Sequence, residues 1–151
     1  MIITELVPEG KQKINVSLDG EYAFFLYRKE VRRLELREGE EISEKLLADI
    51  KELILLPRAK NKALSLLKYG NRTKKEMQQR LIKAGYPPVI TAPVISFLEE
   101  YRFIDDAAYV QSYIELHGSR KSRLKLQQEL GMKGISKEMF AYAWQEQPED
   151  T

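Results

Sequence analysis

The sequence has no cysteine and only one histidine, and these shortages remove much of the chemistry available to small proteins. Without cysteine, neither disulfide bonds nor thiolate metal sites can form. His117 falls at a predicted boundary between helices, with no catalytic partner near it in the sequence. Glycine-based motifs such as GxxxxGK[ST], GxGxxG and GxSxG are also absent. We therefore expect a protein that is not an enzyme and that uses no cofactor or metal ion.

Long apolar runs are missing too. No stretch approaches the roughly 18 consecutive apolar residues that a membrane span needs. The N-terminus lacks the basic start and apolar core of a signal peptide. The hydrophobic fraction of 43% is nevertheless sufficient for a packed core. These features predict a cytoplasmic protein without a membrane partner, and we expect a monomer.

An internal repeat is the most informative feature that is present. When the sequence is shifted by 49 residues, Met77-Gln78-Gln79-Arg80-Leu81 aligns with Leu126-Gln127-Gln128-Glu129-Leu130, and Gly85 aligns with Gly134. The same register continues without a gap from Arg58 to Trp144. A fixed period of this length indicates an array of supersecondary units that present a surface, so it favours a binding protein.

The residues before the repeats predict a small sheet and covering helices. Strand patterns at 2–7, 13–18 and 21–26 predict a three-stranded antiparallel meander, with a turn at Pro8 and a two-residue hairpin at Asp19-Gly20. A short helix is predicted to end near Gly39, and a second is predicted to run from a Ser43 cap to Pro57. Four aromatic residues of the third strand could form either an exposed platform or part of the core, and packing favours the core: Tyr22, Phe24, Phe25 and Tyr27.

Each repeat is predicted to contain three helices. In the first, Thr73-x-x-Glu76 predicts a capping box, and Gly85 a left-handed helix end. Pro93 lies inside the third helix, where a late start or a kink is expected. In the second repeat, Asp105 or Asp106 can cap the first helix. The middle helix is predicted from about Arg120 to Met132, and Ser136 is expected to cap the last helix.

The predicted fold is mainly α, with two tandem three-helix repeats behind a small antiparallel β-meander, and α+β overall. The predicted domains are the N-terminal unit at 1–57, the repeats at 58–102 and 103–146, and a tail at 147–151.

Positive charge is concentrated at matching places in the two repeats. Residues 58–83 carry a net charge of +8 and residues 117–133 a net charge of +4, while the segments around them are net negative. Such a distribution is typical of proteins that bind a polyanion or an acidic protein, although a solvated helix face is the alternative. The candidate partner-binding residues are Arg72, Lys74, Lys75, Arg80, Lys83, Arg120, Lys121, Arg123, Lys125 and Lys133.

The adjacent carboxylates Asp105 and Asp106 are a weaker candidate for acid–base or metal chemistry. Neighbouring residues on a helix do not face each other, and an N-cap explains an aspartate at this position. We therefore assign them no catalytic role.

Two spaced signatures occur in the repeats. The first is Arg72-Thr73-x-x-Glu76-Met77-x-x-Arg80-Leu81-x-x-x-Gly85-Tyr86. The second combines Phe103-Ile104-Asp105-Asp106-x-x-Tyr109-Val110 with Arg123-Leu124, Gln128-Glu129-Leu130 and Lys133-Gly134-Ile135-Ser136. In this order, over residues 58–144, they resemble the RecX family of bacterial RecA regulators. Family members typically carry three repeats, whereas two are recognised here.

The resemblance implies a non-enzymatic protein that binds the RecA–DNA filament and usually restrains its assembly, ATP hydrolysis and strand exchange. It thereby also implies a place in DNA repair and the SOS response. The residues alone leave two other classes open. One is an autonomous module that binds single- or double-stranded DNA. The other is a scaffold that pairs a partner strand with the edge of the N-terminal sheet.

Overall fold

The computed structural model describes residues 1–145. The predicted tail at 147–151 and the last residue of the predicted second repeat lie outside this range. The chain divides into two compact units. The first comprises Met1–Lys62 and Leu81–Ala92, and the second comprises Ala63–Arg80 and Pro93–Thr151. Each unit therefore draws on two separate stretches of the chain.

The N-terminal sheet is the predicted three-stranded antiparallel meander. Its strands are β1 (Ile3–Glu9), β2 (Lys13–Leu18) and β3 (Glu21–Tyr27), in the spatial order β1-β2-β3. Asp19 and Gly20 have φ values of 50° and 84°, as a two-residue hairpin with matching twist requires. The prediction of this hairpin is confirmed.

The first strand differs from its prediction, because β1 continues through Pro8 instead of ending there. Pro8 pairs in register with Ile14, which is possible because β1 lies at the edge of the sheet. The outer side of β1 is partly occupied: the Ile3 amide donates to the Glu40 carbonyl at 2.9 Å, and the Leu6 amide donates to the Glu38 carboxylate at 2.9 Å. The β1 edge therefore offers a partner strand fewer free amides.

The aromatic residues of β3 divide between the core and the surface. Phe24 and Phe25 are buried, whereas Tyr22 and Tyr27 remain 48% and 38% exposed. Core packing thus holds for the two phenylalanines only. The Tyr22 hydroxyl donates to the Gly85 carbonyl at 2.6 Å, within the first unit.

The helix after the sheet is shorter than predicted. α1 spans Arg28–Arg33 and ends well before Gly39. Glu35 adopts a left-handed conformation with φ of 55°, and the Leu36 amide donates to the Val31 carbonyl at 3.1 Å. This closing bond is typical of a Schellman helix end, which terminates α1 without glycine.

Pro57 does not close the next helix, which corrects the prediction. α2 (Glu44–Asp49) leads into a π-helical segment (Ile50–Leu55) and then without a break into α3 (Leu56–Leu67). Proline lacks an amide hydrogen and its ring crowds the carbonyl four residues earlier. The wider π-helical turn directly before Pro57 shifts the local hydrogen-bond pattern, so that the helix continues through the proline.

The repeat region contains the two predicted three-helix sets. The first set is α3 with α4 (Lys74–Lys83) and α5 (Pro88–Glu100). The second set is α6 (Asp106–His117), α7 (Arg123–Met132) and α8 (Lys137–Gln145). α4 and α7 each have 10 residues, and their first residues are 49 positions apart. α5 starts at Pro88 and runs through Pro93, so the late start considered for this helix is wrong.

Each unit has buried apolar side chains. In the first unit they include six side chains from the inward face of the sheet: Ile3, Ile14, Val16, Leu18, Phe24 and Leu26. In the second unit one cluster joins α6, α7 and α8: Val110, Ile114, Leu126, Leu130, Ile135, Phe140 and Ala143. These positions lie about one turn apart along the helices, which fixes the opposite faces outward.

Candidate partner-binding surface

The basic residues of the first repeat surround a helix with a well-defined start. The Thr73 hydroxyl accepts from the Glu76 amide at 3.2 Å, and the Glu76 carboxylate accepts from the Thr73 amide at 3.1 Å. This is the predicted capping box. Met77 and Leu81 are fully buried, so they define the inward face of α4. The other faces of α4 are open to polar side chains, and Arg80 is exposed there.

The equivalent helix of the second repeat begins later than predicted. Ser122 caps α7 by accepting from the Lys125 amide at 3.1 Å, and the helix starts at Arg123. Arg120 and Lys121 therefore lie in the turn before α7, not on the helix as expected. The serine hydroxyl satisfies an amide that would otherwise lack a partner, which sets the start.

Lys133, one of the candidate basic residues, helps to hold the second unit together. The Thr73 hydroxyl donates to the Lys133 carbonyl at 2.6 Å, and the Lys133 ammonium lies 3.3 Å from the Glu76 carboxylate. Burial lowers the pKa of Lys133, but Glu76 and Tyr109 outweigh it and leave that pKa above 10.5. The start of α4 is thus fixed to the end of α7.

A second contact fixes the same turn of α4 to the start of α6. The Asp106 carboxylate accepts from the Lys74 amide at 2.9 Å, while the Lys74 ammonium lies 3.4 Å from the Glu99 carboxylate. Burial raises the pKa of Asp106, although its hydrogen bond with Lys74 acts in the opposite direction. Asp105 caps its own helix by accepting from the Ala108 amide at 3.1 Å. Each of the paired aspartates therefore caps a different helix, and sequence reasoning missed the role of Asp106.

Lys121 is also engaged within its own repeat. Its ammonium lies 2.8 Å from the Glu129 carboxylate, which accepts a further hydrogen bond from the Tyr113 hydroxyl at 2.6 Å. The hydrogen bonds from Lys121 and Tyr113 hold the pKa of Glu129 below its usual range. Burial and the adjacent carboxylate raise the pKa of Tyr113 to about 12. Lys121 thus serves the packing of α6 on α7 and is a weaker candidate for a partner.

Seven of the ten candidate residues are exposed, and one of them, Lys74, forms the ion pair with Glu99. We call the other six the exposed basic set: Lys75, Arg80, Lys83, Arg120, Arg123 and Lys125. Among residues 1–145 none of them forms an ion pair within 4.0 Å. Five belong to the second unit, and Lys83 belongs to the first. The Arg123 guanidinium lies 5.5 Å from the centre of the Trp144 ring, a cation–π contact that leaves the charge accessible.

Other kinds of site find little support in the part of the chain that the structure describes. No group of three potential ligands among His, Cys, Asp and Glu is placed to hold a metal ion within residues 1–145. The His117 ring lies 4.4 Å from the Tyr113 ring and packs there as an aromatic side chain. None of the helices up to residue 145 has the length and apolar character needed to cross a membrane.

Comparison with known proteins agrees with this architecture. The family model described as the first three-helix domain of RecX matches residues 59–98, and the model of the second three-helix domain matches residues 105–143. Together the matches cover just over half of the chain. The chain belongs to the RecX family. The resemblance seen in the two sequence signatures is confirmed, and so is the predicted fold.

Named RecX relatives extend the match beyond the two helical domains. The chain is similar to the regulatory protein RecX of Clostridium tetani, with 30% identity over 136 residues that cover 90% of the chain and 63% of the relative. For the RecX of Clostridium acetobutylicum the identity is 31%, covering 89% of the chain and 64% of the relative. The chain thus spans less than two thirds of the length of these curated relatives.

Solved structures of RecX proteins are similar as well. The crystal structure of a regulatory protein RecX matches with a TM-score of 0.61 and 27% identity over 95% of this chain and 72% of that one. RecX from Lactobacillus salivarius matches with a TM-score of 0.57 and 25% identity, covering 59% of each chain. The first of these matches includes the N-terminal sheet, which the two family models do not cover.

Proposed function

We propose that this chain binds the RecA–DNA filament and restrains its recombinase and ATPase activities, in the bacterial cytoplasm and without catalysing a reaction itself. The carrying observation is the exposed basic set, which lies on or just before the middle helix of each of two repeats in a RecX-family chain. Its relatives are named regulatory proteins. A repeating array offers one contact per repeat, which suits a partner that is itself a repeating polymer.

The chemistry of the contact follows from the charges. Arginine and lysine side chains at the rim of an interface attract acidic protein surface or phosphate over distances of about 8 to 10 Å in physiological salt. Each exposed side chain contributes modestly to the binding free energy. When the two repeats bind neighbouring filament subunits, the first contact raises the effective concentration for the second, so the overall affinity increases. Loss of one charge should therefore weaken inhibition mildly, whereas loss in both repeats should remove most of it.

The deciding experiment measures the ATPase rate of preformed RecA filaments on single-stranded DNA during titration with this protein, beside a bare-DNA binding control. We expect the ATPase rate to fall at protein concentrations too low to occupy bare DNA. An unchanged ATPase rate together with strong binding to bare DNA would refute the proposal.

A matched pair of charge reversals tests the surface. Arg80→Glu combined with Arg123→Glu should nearly abolish inhibition, because it reverses one exposed charge in each repeat. The control combines Lys29→Glu with Arg37→Glu, which changes the net charge equally on exposed residues outside the repeats. We expect the control to inhibit like the unmodified protein. Inhibition that survives the first double variant with its circular dichroism intact would rule out this surface.

An autonomous module that binds single-stranded DNA is the second candidate, and one observation favours it. Phe97 and Tyr101 have ring centres 4.9 Å apart, and both Tyr101 and Phe103 are largely exposed in the second unit. Exposed aromatic rings near cations can stack on unpaired bases. This function requires tight binding to oligo(dT) without RecA and a steep loss of affinity as salt rises.

A further inference from the structure

An open groove of about 360 Å³ runs along the outer side of α7 in the second unit. The residues that line it are Leu124, Gln127, Gln128 and Gly131 on α7, and Ile135 and Lys137 after that helix. The four on α7 recur every three or four residues, so they share one face of the helix. The buried Leu126 and Leu130 lie on the opposite face. The groove is therefore open to another molecule without any change in the core.

A glycine keeps this groove open. Gly131 lines it, and a Cβ at this position would meet nothing within 4 Å, so a larger residue has room there. The first repeat has Ile82 at the equivalent position, 49 residues earlier. Glycine within a helix costs stability relative to alanine, because the unfolded chain has more conformational freedom to lose. A less favourable residue that leaves space beside an exposed leucine points to a use for that space.

The equivalent place in the first repeat already serves as a docking position. Lys75 corresponds to Leu124, and the Lys75 side chain lies against Gly134, just after α7. Leu124 itself stays 65% exposed, so no residue up to 145 covers it as Gly134 covers Lys75. A repeat that lacks a neighbour normally presents a polar surface at such a position. An exposed leucine beside an open groove instead suits an apolar side chain of another molecule.

We propose that this groove receives one apolar side chain from an acidic segment of a protein partner. No acidic side chain lines the groove, whereas Lys137 does. Arg123 and Lys125 are exposed on either side of the stripe that begins at Leu124, because successive helical residues are about 100° apart. None of these three cations forms an ion pair within 4.0 Å among residues 1–145. A segment that carries carboxylates next to an apolar side chain complements both the charges and the apolar floor.

Two other occupants fit this groove less well. A second copy of the chain that docked through the same groove would bring Arg123, Lys125 and Lys137 against the same three cations, and like charges across an interface oppose binding. Single-stranded DNA binds through aromatic rings that stack on its bases, and no aromatic residue lines the groove. The inference rests on the proposed function only for which protein supplies the acidic segment.

The test is an NMR titration of the isotope-labelled chain that follows the side-chain amide signals of Gln127 and Gln128. The probe is the acetylated and amidated peptide Glu-Glu-Leu-Glu-Glu. One control peptide has serine in place of the leucine, and another has glutamine in place of each glutamate, both at equal ionic strength. We expect saturable shifts of both signals with the probe. The serine peptide should bind about tenfold more weakly, as the loss of one buried leucine predicts, and the glutamine peptide should also bind more weakly.

Matched variants separate the groove from the rest of the surface. Leu124→Ser should lower probe affinity about tenfold, because the apolar contact is lost. Leu116→Ser is the control: Leu116 is 68% exposed on α6 and does not line the groove, so its loss should leave probe affinity unchanged. Gly131→Ile fills the groove and should abolish binding, while the thermal midpoint stays equal or rises. Lys137→Gln should weaken binding about two- to threefold, as expected for one exposed charge.

Each of the following results would overturn the assignment: no shift of the glutamine signals with the probe, equal affinity for the serine peptide, or unchanged probe affinity in Leu124→Ser or Gly131→Ile. Shifts of the same signals that grow with protein concentration alone, together with a dimer mass in sedimentation, would assign the groove to a second copy instead. Tighter binding of oligo(dT) than of the probe in the groove would assign it to nucleic acid. Because no recombinase is present, any of these results leaves the ATPase titration to decide the proposed function separately.

Discussion

The starts of α4 and α7 occupy equivalent positions in the two repeats, yet their contacts differ. Thr73 at the start of α4 is fully buried, whereas its counterpart Ser122 at the start of α7 is exposed. Both hydroxyls cap their helices through side-chain hydrogen bonds. Only the Thr73 hydroxyl also donates to another part of the unit, the Lys133 carbonyl.

This difference indicates which basic residues lie beside contacts between the repeats and which remain exposed. The first turn of α4 contacts the second repeat through Thr73 and the Lys74 amide, and the Lys74 ammonium pairs with Glu99 of its own repeat. The start of α7 forms no such hydrogen bond with another repeat among residues 1–145 and keeps Arg123 and Lys125 exposed. We therefore expect the partner to contact the first repeat beyond the first turn of α4, near Arg80, and the second repeat at the start of α7.

The largest expected effect comes from the glycine that meets the start of α4. A Cβ at Gly134 would lie 2.4 Å from the Lys75 Cβ, and the Gly134 φ of 92° disfavours any other residue. Gly134→Ala should therefore lower the free energy of unfolding by about 2–4 kcal/mol. Gly131→Ala is the matched control, because a Cβ there meets nothing within 4 Å and alanine favours the helix. Urea unfolding measures both, and equal values would show that the docking contact is unimportant.

A smaller effect follows from removing the two capping hydroxyls. Ser122→Ala should lower the free energy of unfolding by about 0.5–1 kcal/mol, the usual value for a lost cap. Thr73→Ala should lower it by about 2–3 kcal/mol, because the partly buried hydrogen bond to the Lys133 carbonyl is lost as well. Thr73→Ser keeps the hydroxyl and should recover most of the difference. Similar losses for Thr73→Ala and Ser122→Ala in thermal or urea unfolding would contradict the asymmetry.

Local signals in the sequence predicted most of the fold. The capping box at Thr73, the hairpin at Asp19-Gly20 and the left-handed Gly85 each depend on the conformation of a few adjacent residues. Such features are encoded where they occur. Pro57 was misjudged because whether a helix stops or widens at proline depends on the surrounding packing.

The candidate surface was harder to predict, because side-chain partners are set by tertiary contacts. The positions of the basic residues were evident, but nothing local distinguishes Lys133, paired with Glu76, from the exposed Lys125. The pair Asp105 and Asp106 did contain a usable signal. One helix start needs a single capping side chain, so the second aspartate was available to cap another helix. Nothing in the sequence indicated that Arg102, just after α5, adopts a left-handed conformation with φ of 58°. Glycine is the residue that normally marks such a helix end.

The ion pair between Glu76 and Lys133 should have a modest effect. Both side chains are partly exposed, so Glu76→Gln should lower the free energy of unfolding by only about 0.5 kcal/mol. Because the folded-state pKa of Lys133 is raised, its contribution is fully present below pH 10.5 and is lost as pH rises through the higher folded value. Double-mutant cycles with Lys133→Gln at pH 7 measure the coupling, and zero coupling would remove this pair from the docking contact.

The smallest expected effect concerns Leu124, which is 65% exposed at the start of α7 where the first repeat has Lys75. Leu124→Lys makes the two turns alike, and the free energy of unfolding should stay within about 0.5 kcal/mol of the unmodified value because little apolar surface is buried there. Lys75→Asp is the more informative variant, since the Lys75 stem lies against Gly134 and a shorter acidic side chain loses that packing. It should destabilise measurably more than Leu124→Asp in urea unfolding. If the two aspartate variants unfold at the same urea concentration, the start of α4 contributes no more to packing than the start of α7. The proposed difference between the two helix starts, one used for packing and the other for a partner, would then be wrong.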